Sequence, residues 1–186
     1  MRRFDAKELR RFFTAVDENL TKDAAIIVIG GSAIALYGAA VGTVDVDTYE
    51  TDLAPLEEAI ARARVVTGFD IPVSRVGVAD APYNYRDRLQ REPGGWTRLT
   101  VWKLERHDLA LSKAVRGYEN DLNAIEKLHQ VSPLDLGTLV GRWIGEMGHT
   151  IGERGRLDQN FVAMIERLYG QGEADRVETR LRGASG

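Results

Sequence analysis

The chain of 186 residues contains no cysteine, and this absence removes several kinds of chemistry. Disulfide bonds, thiolate nucleophiles and cysteine-ligated zinc or iron–sulfur centres are all excluded. The three histidines are scattered along the chain and show no spacing typical of a metal site. Of these, we interpret His107 as a residue at the start of a helix rather than as a catalyst.

The sequence also lacks a surplus of positive charge and a long apolar segment. Its formal net charge is -3 and its pI is about 5.7. The chain as a whole therefore lacks the excess of positive charge that is typical of nucleic-acid-binding proteins. The sequence is still compatible with a local positively charged patch. No run approaches the roughly 18 apolar residues of a membrane span, and the charged first residues lack the apolar core of a signal peptide. We expect a cytoplasmic protein without a membrane contact.

What the sequence does contain is the pattern of a small α/β core. Short β-branched or alternating segments predict four strands, in AAIIVIGG, TVDVDTYE, DIPVSRVGV and TRLTVWKL. Amphipathic spacing predicts helices between them and a first helix over residues 5–20. The predicted fold class is therefore α/β (α+β).

Beyond the last predicted strand the pattern becomes helical. One long helix is predicted over HDLALSKAVRGYENDLNAIEKLHQ, with Tyr118 on its apolar stripe. A second helix is predicted to begin with Ser132 as its N-cap, and a third to end at Gly170. We therefore divide the chain into a core of residues 1–104 and a helical region of residues 105–186 packed on that core.

A long loop separates the last two predicted strands. Its sequence, ADAPYNYRDRLQREPGGW, interleaves aromatic residues with arginines, a combination that stacks bases and binds phosphates in nucleic-acid interfaces. The alternative, which we favour, is that the tyrosines anchor the loop while the arginines pair with Asp87 and Glu92. Loops of this length more often have a function than serve only as connections.

The segment IIVIGGSAIALYGAAVGTVDVDTYE, residues 26–50, carries the strongest indication of function. It lacks the lysine of a phosphate-binding P-loop and the G-x-G-x-x-G pattern of a dinucleotide site. What remains is a strand, the turn Gly30-Gly31-Ser32 and the start of a helix. Glycine backbone lets a phosphate approach the N–H groups, the helix N-terminus favours negative charge, and Ser32 adds a hydroxyl. A purely structural turn is the alternative.

Two aspartates follow in the next predicted strand. Asp45 and Asp47 stand two residues apart, so they project from the same face of a strand while Val46 faces the core. Neighbouring carboxylates repel each other, and a cation between them relieves that repulsion. Mg²⁺ suits the pair because it takes one or two carboxylates together with phosphate oxygens. The alternative is a solvent-facing strand edge in which the two aspartates have no functional role.

The spacing between the turn and the aspartates joins them into one candidate site. Twelve residues between Ser32 and Asp45 allow a short helix and a return to a neighbouring strand. An apolar residue, Gly-Gly or Gly-Ser, a short spacer and Asp-apolar-Asp together resemble the signature of the nucleotidyltransferase superfamily of the DNA polymerase β type. With Thr43 before Asp45, the segment is especially similar to a prokaryotic branch that includes the abortive-infection E toxins and a sister family of poorly characterised proteins. The resemblance covers about residues 24–130.

This resemblance implies a small mixed-sheet nucleotidyltransferase core with a helical C-terminal region. It implies Mg²⁺-dependent transfer of a nucleoside monophosphate from an NTP to an acceptor, which the family suggests is RNA or tRNA, a protein or a small molecule. Asp45 and Asp47 would be catalytic metal ligands, and Gly30, Gly31 and Ser32 would bind the nucleotide. A toxin role with an antitoxin partner follows from the same branch.

A second segment, HDLALSKAVRGYENDLNAI, also resembles the toxin-like families. Their pattern runs Asp-Leu, Ser-Lys and Gly-Arg-Glu-Lys-Asp, and here Tyr118 replaces the arginine and Asn120 the second lysine. The resemblance implies that Lys113 and Asp121 are catalytic, and that Lys113 binds the nucleotide, with Arg116 as a substitute for the lost arginine. A lysine is a compact point charge suited to a triphosphate. The alternative is a solvated helix face.

Polymerase-type transferases usually have a third carboxylate on a later strand. The candidates are Asp70 in TGFDIP, Asp80 in VADAP, and Asp121, and the last predicted core strand contains no acid. This gap and the altered GYEND run support an alternative hypothesis, a catalytically weak or inactive module that acts by binding nucleotide or a partner. Small-molecule modification, as in antibiotic nucleotidyltransferases, is a third hypothesis.

Overall fold

The computed structural model of the chain describes residues 2–77 and 80–184. Within that part of the chain there are five strands and eight α-helices, which confirms the predicted α+β fold class. The described residues form two compact units. One unit combines the chain up to residue 77 with Arg88–Leu104, and the other combines Asp80–Asp87 with the chain from Glu105 onward.

The first unit is built on a mixed sheet. Its strands in the described residues are β1 (Ala24–Val28), β2 (Val46–Thr48), β3 (Val73–Arg75), β4 (Gln90–Arg91) and β5 (Leu99–Lys103). Their order across the sheet is β3-β2-β1-β5-β4. β1 is antiparallel to β2 and parallel to β5, β2 is parallel to β3, and β4 is antiparallel to β5. The four predicted strands are present, and β4 lies within the predicted loop.

Helices of the first unit cover this sheet. They are α1 (Ala6–Asn19), α2 (Gly30–Leu36) and α3 (Glu57–Thr67), with a 3₁₀ turn at Ala54–Leu56 before α3. Leu9, Phe12 and Phe13 of α1 are buried, as its amphipathic spacing predicts. Val78 and Ala79, at the junction of the third predicted strand and the predicted loop, lie outside the described residues.

The second unit is helical. Its helices are α4 (Arg106–Arg116), α5 (Glu119–Val131), α6 (Leu136–Glu146), α7 (Arg154–Tyr169) and α8 (Gln171–Ala184). Trp143 and Phe161 stack in its buried core with ring centroids 4.4 Å apart. Gly170 is the C-cap of α7, as predicted. No helix among the described residues combines the length and the apolar character needed to span a membrane.

The prediction of a single long helix after the last strand is wrong. The chain breaks at Gly117, whose φ of 63° is left-handed, and restarts as α5 at Glu119. Glycine takes this conformation without a steric penalty, which makes it a common helix terminator. As a consequence, Tyr118 leaves the predicted apolar stripe and is 64% exposed.

The start of α6 also differs from its prediction. Ser132 is the C-cap of α5, whereas the N-cap of α6 is Asp135, whose carboxylate accepts the Thr138 N–H at 2.7 Å. Serine and aspartate are both good N-caps, so the sequence contains two plausible starts. A long-range bond favours the second, because the Asp135 N–H also donates to Nε2 of His107 at 2.8 Å.

Residues 80–87 group with the helical unit, whereas the sequence predicts that they belong to the core of residues 1–104. The Tyr83 N–H donates to the Glu146 carbonyl at 3.1 Å, and the Asn84 N–H donates to the Glu146 carboxylate at 3.1 Å. A 3₁₀ turn follows at Tyr85–Arg88. These bonds attach the first half of the predicted loop to the end of α6, a contact that local sequence cannot indicate.

Glu92, the predicted partner of the loop arginines, is bound elsewhere. Its fully buried carboxylate accepts hydrogen bonds from Arg10 Nε at 2.7 Å and from Lys103 Nζ at 2.5 Å. These cations come from α1 and β5, outside the loop. The predicted pairing of Glu92 with loop arginines is therefore wrong.

The start of β5 is fixed by a carboxylate of α1. Asp17 accepts the backbone N–H groups of Thr97, Arg98 and Leu99 at 3.1, 2.7 and 2.7 Å. Burial opposes ionisation of Asp17, but these three bonds outweigh it and hold its pKa below the usual value. Asp17 thereby positions the strand that pairs with β1 along its whole length.

Asp17→Asn should lower the free energy of unfolding by about 1–3 kcal/mol, because an amide replaces an ionised acceptor of three N–H groups. Glu18→Gln makes the same chemical change on the next, exposed side chain of α1. That control should change the free energy by less than about 0.5 kcal/mol. Urea denaturation measures both, and equal losses would contradict the role assigned to Asp17.

Candidate nucleotide and metal site

β1 ends directly at the glycine turn. Ile29 is the N-cap residue, and α2 begins at Gly30. Gly30 has a φ of 64°, a conformation that glycine adopts readily and that other residues adopt at a cost. The first N–H groups of a helix have no partner within the helix. A glycine turn at the start of a helix is therefore present where the sequence predicts the phosphate contact.

The acidic strand lies against this turn. The Ile29 N–H donates to the Asp47 carbonyl at 3.0 Å, within the antiparallel pairing of β1 and β2. A Cβ added to Gly30 would lie 3.2 Å from Oδ2 of Asp47, and a Cβ added to Gly31 would lie 3.2 Å from Oγ1 of Thr43. A side chain at either glycine would therefore force Asp47 or Thr43 to shift by a few tenths of an ångström.

The two carboxylates project away from the core of the first unit. Asp45 and Asp47 are partly exposed, whereas Val46 between them is buried, as the alternation predicts. Oγ1 of Thr43 lies 3.4 Å from Oδ1 of Asp45, and Oγ of Ser74 lies 3.4 Å from Oδ1 of Asp47. A hydroxyl group thus flanks each carboxylate.

Ser32 is placed differently from its predicted use. Its hydroxyl is buried and donates to the Ile29 carbonyl at 3.0 Å. In this conformation the hydroxyl stabilises the first turn of α2 and is not directed to a ligand. The backbone N–H is the group through which Ser32 would contact a phosphate.

The donor atoms of Asp45 and Asp47 fit Mg²⁺, which takes one or two carboxylates and completes its shell with water and phosphate oxygens. Over residues 2–77 and 80–184, no group of three or more His, Cys, Asp or Glu side chains is placed to hold a metal ion. Asp70, a candidate third carboxylate, has a side chain that is 98% exposed and lies 4.0 Å from Arg64. A cation held by the two aspartates would therefore need further oxygen ligands.

Lys113, Arg116 and Asp121 form an ion cluster in the second unit. Oδ1 of Asp121 lies 2.6 Å from Nζ of Lys113 and 2.7 Å from Nη2 of Arg116. Lys113 and Asp121 are buried, whereas the Arg116 side chain is 55% exposed. Oδ2 of Asp121 is buried and has no hydrogen-bond partner among the described residues. The second motif therefore assembles locally, with the lysine charge balanced by Asp121.

Gly117, between the members of this cluster, has a packing role. A Cβ at Gly117 would lie 2.4 Å from Cγ of Asn160, a residue of α7. Nδ2 of Asn160 donates to the Val115 carbonyl at 3.0 Å near the end of α4. The glycine thus admits a neighbouring helix of the same unit.

His107 lies in the first turn of α4, as predicted, and connects two helices. Its Nδ1 lies 2.8 Å from Oε1 of Glu105, and its Nε2 accepts the Asp135 N–H at 2.8 Å. Burial of Glu105 opposes its ionisation, but hydrogen bonds from His107 and Arg142 lower its pKa to about 2. These contacts give His107 a structural role in the helical unit.

A glycine turn after the first strand, set against an Asp-apolar-Asp strand in a mixed sheet, is the arrangement of a nucleotidyltransferase-like α+β protein. Residues 7–166 match the family described as "Nucleotidyltransferase of unknown function (DUF6036)", and the chain belongs to this family. Neither a curated protein nor a solved structure matches the chain. The predicted resemblance to nucleotidyltransferases is confirmed at this level, and the toxin branch stays a prediction.

Gly30→Ala should lower the free energy of unfolding more than Gly68→Ala does. The two glycines have φ values of 64° and 68°, and a side chain in that conformation costs about 1–2 kcal/mol at either position. A Cβ at Gly30 also crowds Asp47, whereas nothing lies within 4 Å of a Cβ at Gly68. We expect an additional loss of about 1 kcal/mol for Gly30→Ala in chemical denaturation. Equal losses would show that the acidic strand does not crowd the turn.

Lys113→Met should lower the free energy of unfolding by about 3 kcal/mol, because buried Asp121 would keep only the half-exposed Arg116 as its cation. The double variant Lys113→Met/Asp121→Leu should recover part of that loss, since neither charge is then buried alone. A double-mutant cycle in urea measures the coupling. A coupling energy below about 0.5 kcal/mol would contradict a buried ion pair.

Proposed function

We propose that the protein is a Mg²⁺-dependent nucleotidyltransferase that moves a nucleoside monophosphate from an NTP to an acceptor. The family match supports the reaction class. The observation that carries the assignment to this site is the close approach of the glycine turn to Asp47. It brings backbone donors suited to phosphate next to carboxylates suited to a divalent cation.

Each part of the site has a role in this proposal. The backbone N–H groups of Gly30, Gly31 and Ser32 would bind the terminal phosphates, helped by the partial positive charge of the α2 N-terminus. Asp45 and Asp47 would hold Mg²⁺, which when bound supplies electrostatic stabilisation of the phosphate charge. In the transfer, an acceptor oxygen bonds to the α-phosphorus as pyrophosphate leaves.

The remaining assignments are proposals that rest on the sequence resemblance. Lys113 and Arg116 are proposed as phosphate ligands and Asp121 as a catalytic carboxylate. RNA or tRNA, a protein and a small molecule are the candidate acceptors, and a toxin role with an antitoxin partner is proposed on the same ground.

A second candidate function is a catalytically weak module that binds nucleotide or a partner. The observation that favours it is the lack, among the described residues, of a third acidic or histidine side chain grouped with Asp45 and Asp47. Two carboxylates are sufficient to bind a metal–nucleotide complex, since Mg²⁺ sites often use only one or two. The two functions differ in whether transfer follows binding.

Transfer of label from each α-labelled NTP, with Mg²⁺ and total RNA, lysate protein or aminoglycosides, tests the proposal. Asp45→Asn and Asp47→Asn should each reduce transfer at least about 100-fold, because each removes a charged metal ligand. Asp23→Asn is the matched control, since Asp23 is an exposed aspartate of the same unit, and it should retain activity.

Thermal shift with NTP and Mg²⁺ separates the two functions. A shift that disappears in both aspartate variants, without transfer to any acceptor, would favour the binding module. If the unmodified protein shows neither transfer nor a nucleotide-dependent shift, the transferase and the nucleotide-binding module are both overturned.

A further inference from the structure

A hydroxyl group of β3 lies beside the proposed metal ligands. The parallel strands β2 and β3 pair Asp47 with Ser74, so the two side chains leave the sheet on the same face. Oγ of Ser74 lies 3.4 Å from Oδ1 of Asp47. This distance is long for a hydrogen bond between oxygens, and Ser74 is exposed. The hydroxyl is therefore close to the carboxylate without being held tightly by it.

The strand pairing at this point uses the backbone of Ser74 and leaves its side chain out. The Ser74 carbonyl accepts a hydrogen bond from Oγ1 of Thr48 at 3.1 Å. The next ladder bond runs from the Val76 N–H to the Thr48 carbonyl at 2.9 Å. Exchange of the Ser74 side chain should therefore leave the pairing of β2 with β3 intact.

We propose that Ser74 is the third side chain of the cation site formed by Asp45 and Asp47. The inference rests on the proposed function and specifies its metal site as two carboxylates and one neutral hydroxyl. Hydroxyl oxygens are suitable ligands for Mg²⁺, as the serine or threonine of P-loops illustrates. Ser74 enters from the strand next to the two acids, on the face that Asp47 shares.

The composition of this site has a consequence for charge. Asp45 and Asp47 contribute two carboxylates to this site, and Ser74 adds an oxygen without adding charge. Conversion of Ser74 to an acid would place a third negative charge beside the same cation. The affinity for a divalent cation should then rise, because a carboxylate and a doubly charged ion at a few ångströms attract each other strongly even near solvent.

Binding of Mn²⁺, followed by electron paramagnetic resonance with and without a non-hydrolysable ATP analogue, tests the inference. Ser74→Ala should weaken binding about 10-fold, and Ser74→Thr should retain it because the hydroxyl is kept. Ser74→Asp should tighten binding at least about 10-fold. Arg75→Gln is the matched control, because it changes the net charge equally on the opposite face of the same strand, and it should shift the affinity less than about twofold.

Thermal unfolding gives a second readout that a purely structural role would not produce. Without metal, Ser74→Asp should lower Tm, because the new carboxylate faces Asp47 across the strand pair. With saturating Mn²⁺ the order should reverse, with the Ser74→Asp variant above the unmodified protein.

Failure of this inference and failure of the proposed function give different results. One outcome is that the unmodified protein binds Mn²⁺ through Asp45 and Asp47, and that Ser74→Ala and Ser74→Asp bind it with the same affinity as the unmodified protein. In that case the role of Ser74 is wrong and the proposed function stands. If neither the unmodified protein nor Ser74→Asp binds Mn²⁺, with or without the nucleotide analogue, both are overturned.

Discussion

The hydrogen bond from the Ile29 N–H to the Asp47 carbonyl, 3.0 Å long, is the constraint on which the candidate site depends. It sets the register between β1, which leads into the glycine turn, and β2, which carries Asp47 and directly follows Asp45. A slip of one residue would move the Asp47 side chain to the opposite face of the sheet. The glycines follow from the same constraint, because a Cβ on Gly30 or Gly31 would crowd Asp47 or Thr43.

The two halves of the site have opposite electrostatic preferences. N–H groups at a helix start attract phosphate, whereas adjacent carboxylates repel it. A divalent cation resolves this conflict, since it binds the carboxylates and the phosphate together. The proposed function makes use of this close contact, because a metal–nucleotide complex would engage both halves at once. Membership in a nucleotidyltransferase family supports the reaction class.

The sequence alone predicts the features that depend on short-range geometry. A strand, a short helix and a return strand have few arrangements, so the spacing from Ser32 to Asp45 predicts that the turn and the acidic segment meet. Asp47 does lie against Gly30. Features set by distant contacts were missed. The helix break at Gly117 is packed by Asn160 of α7, and residues 80–87 are attached through Glu146. Ser74 carries no motif, because its position depends on the register of β3 against β2.

Backbone NMR of the protein with Mn²⁺ and a non-hydrolysable NTP analogue would locate the bound ion, because paramagnetic broadening falls steeply with distance from the ion. We expect the amide signals of residues 30–32 and 45–47 and of Ser74 to broaden first. We also expect Asp47→Asn to abolish this selectivity. Broadening centred on another region, or spread evenly over the chain, would contradict a metal–nucleotide site between the glycine turn and the acidic strand.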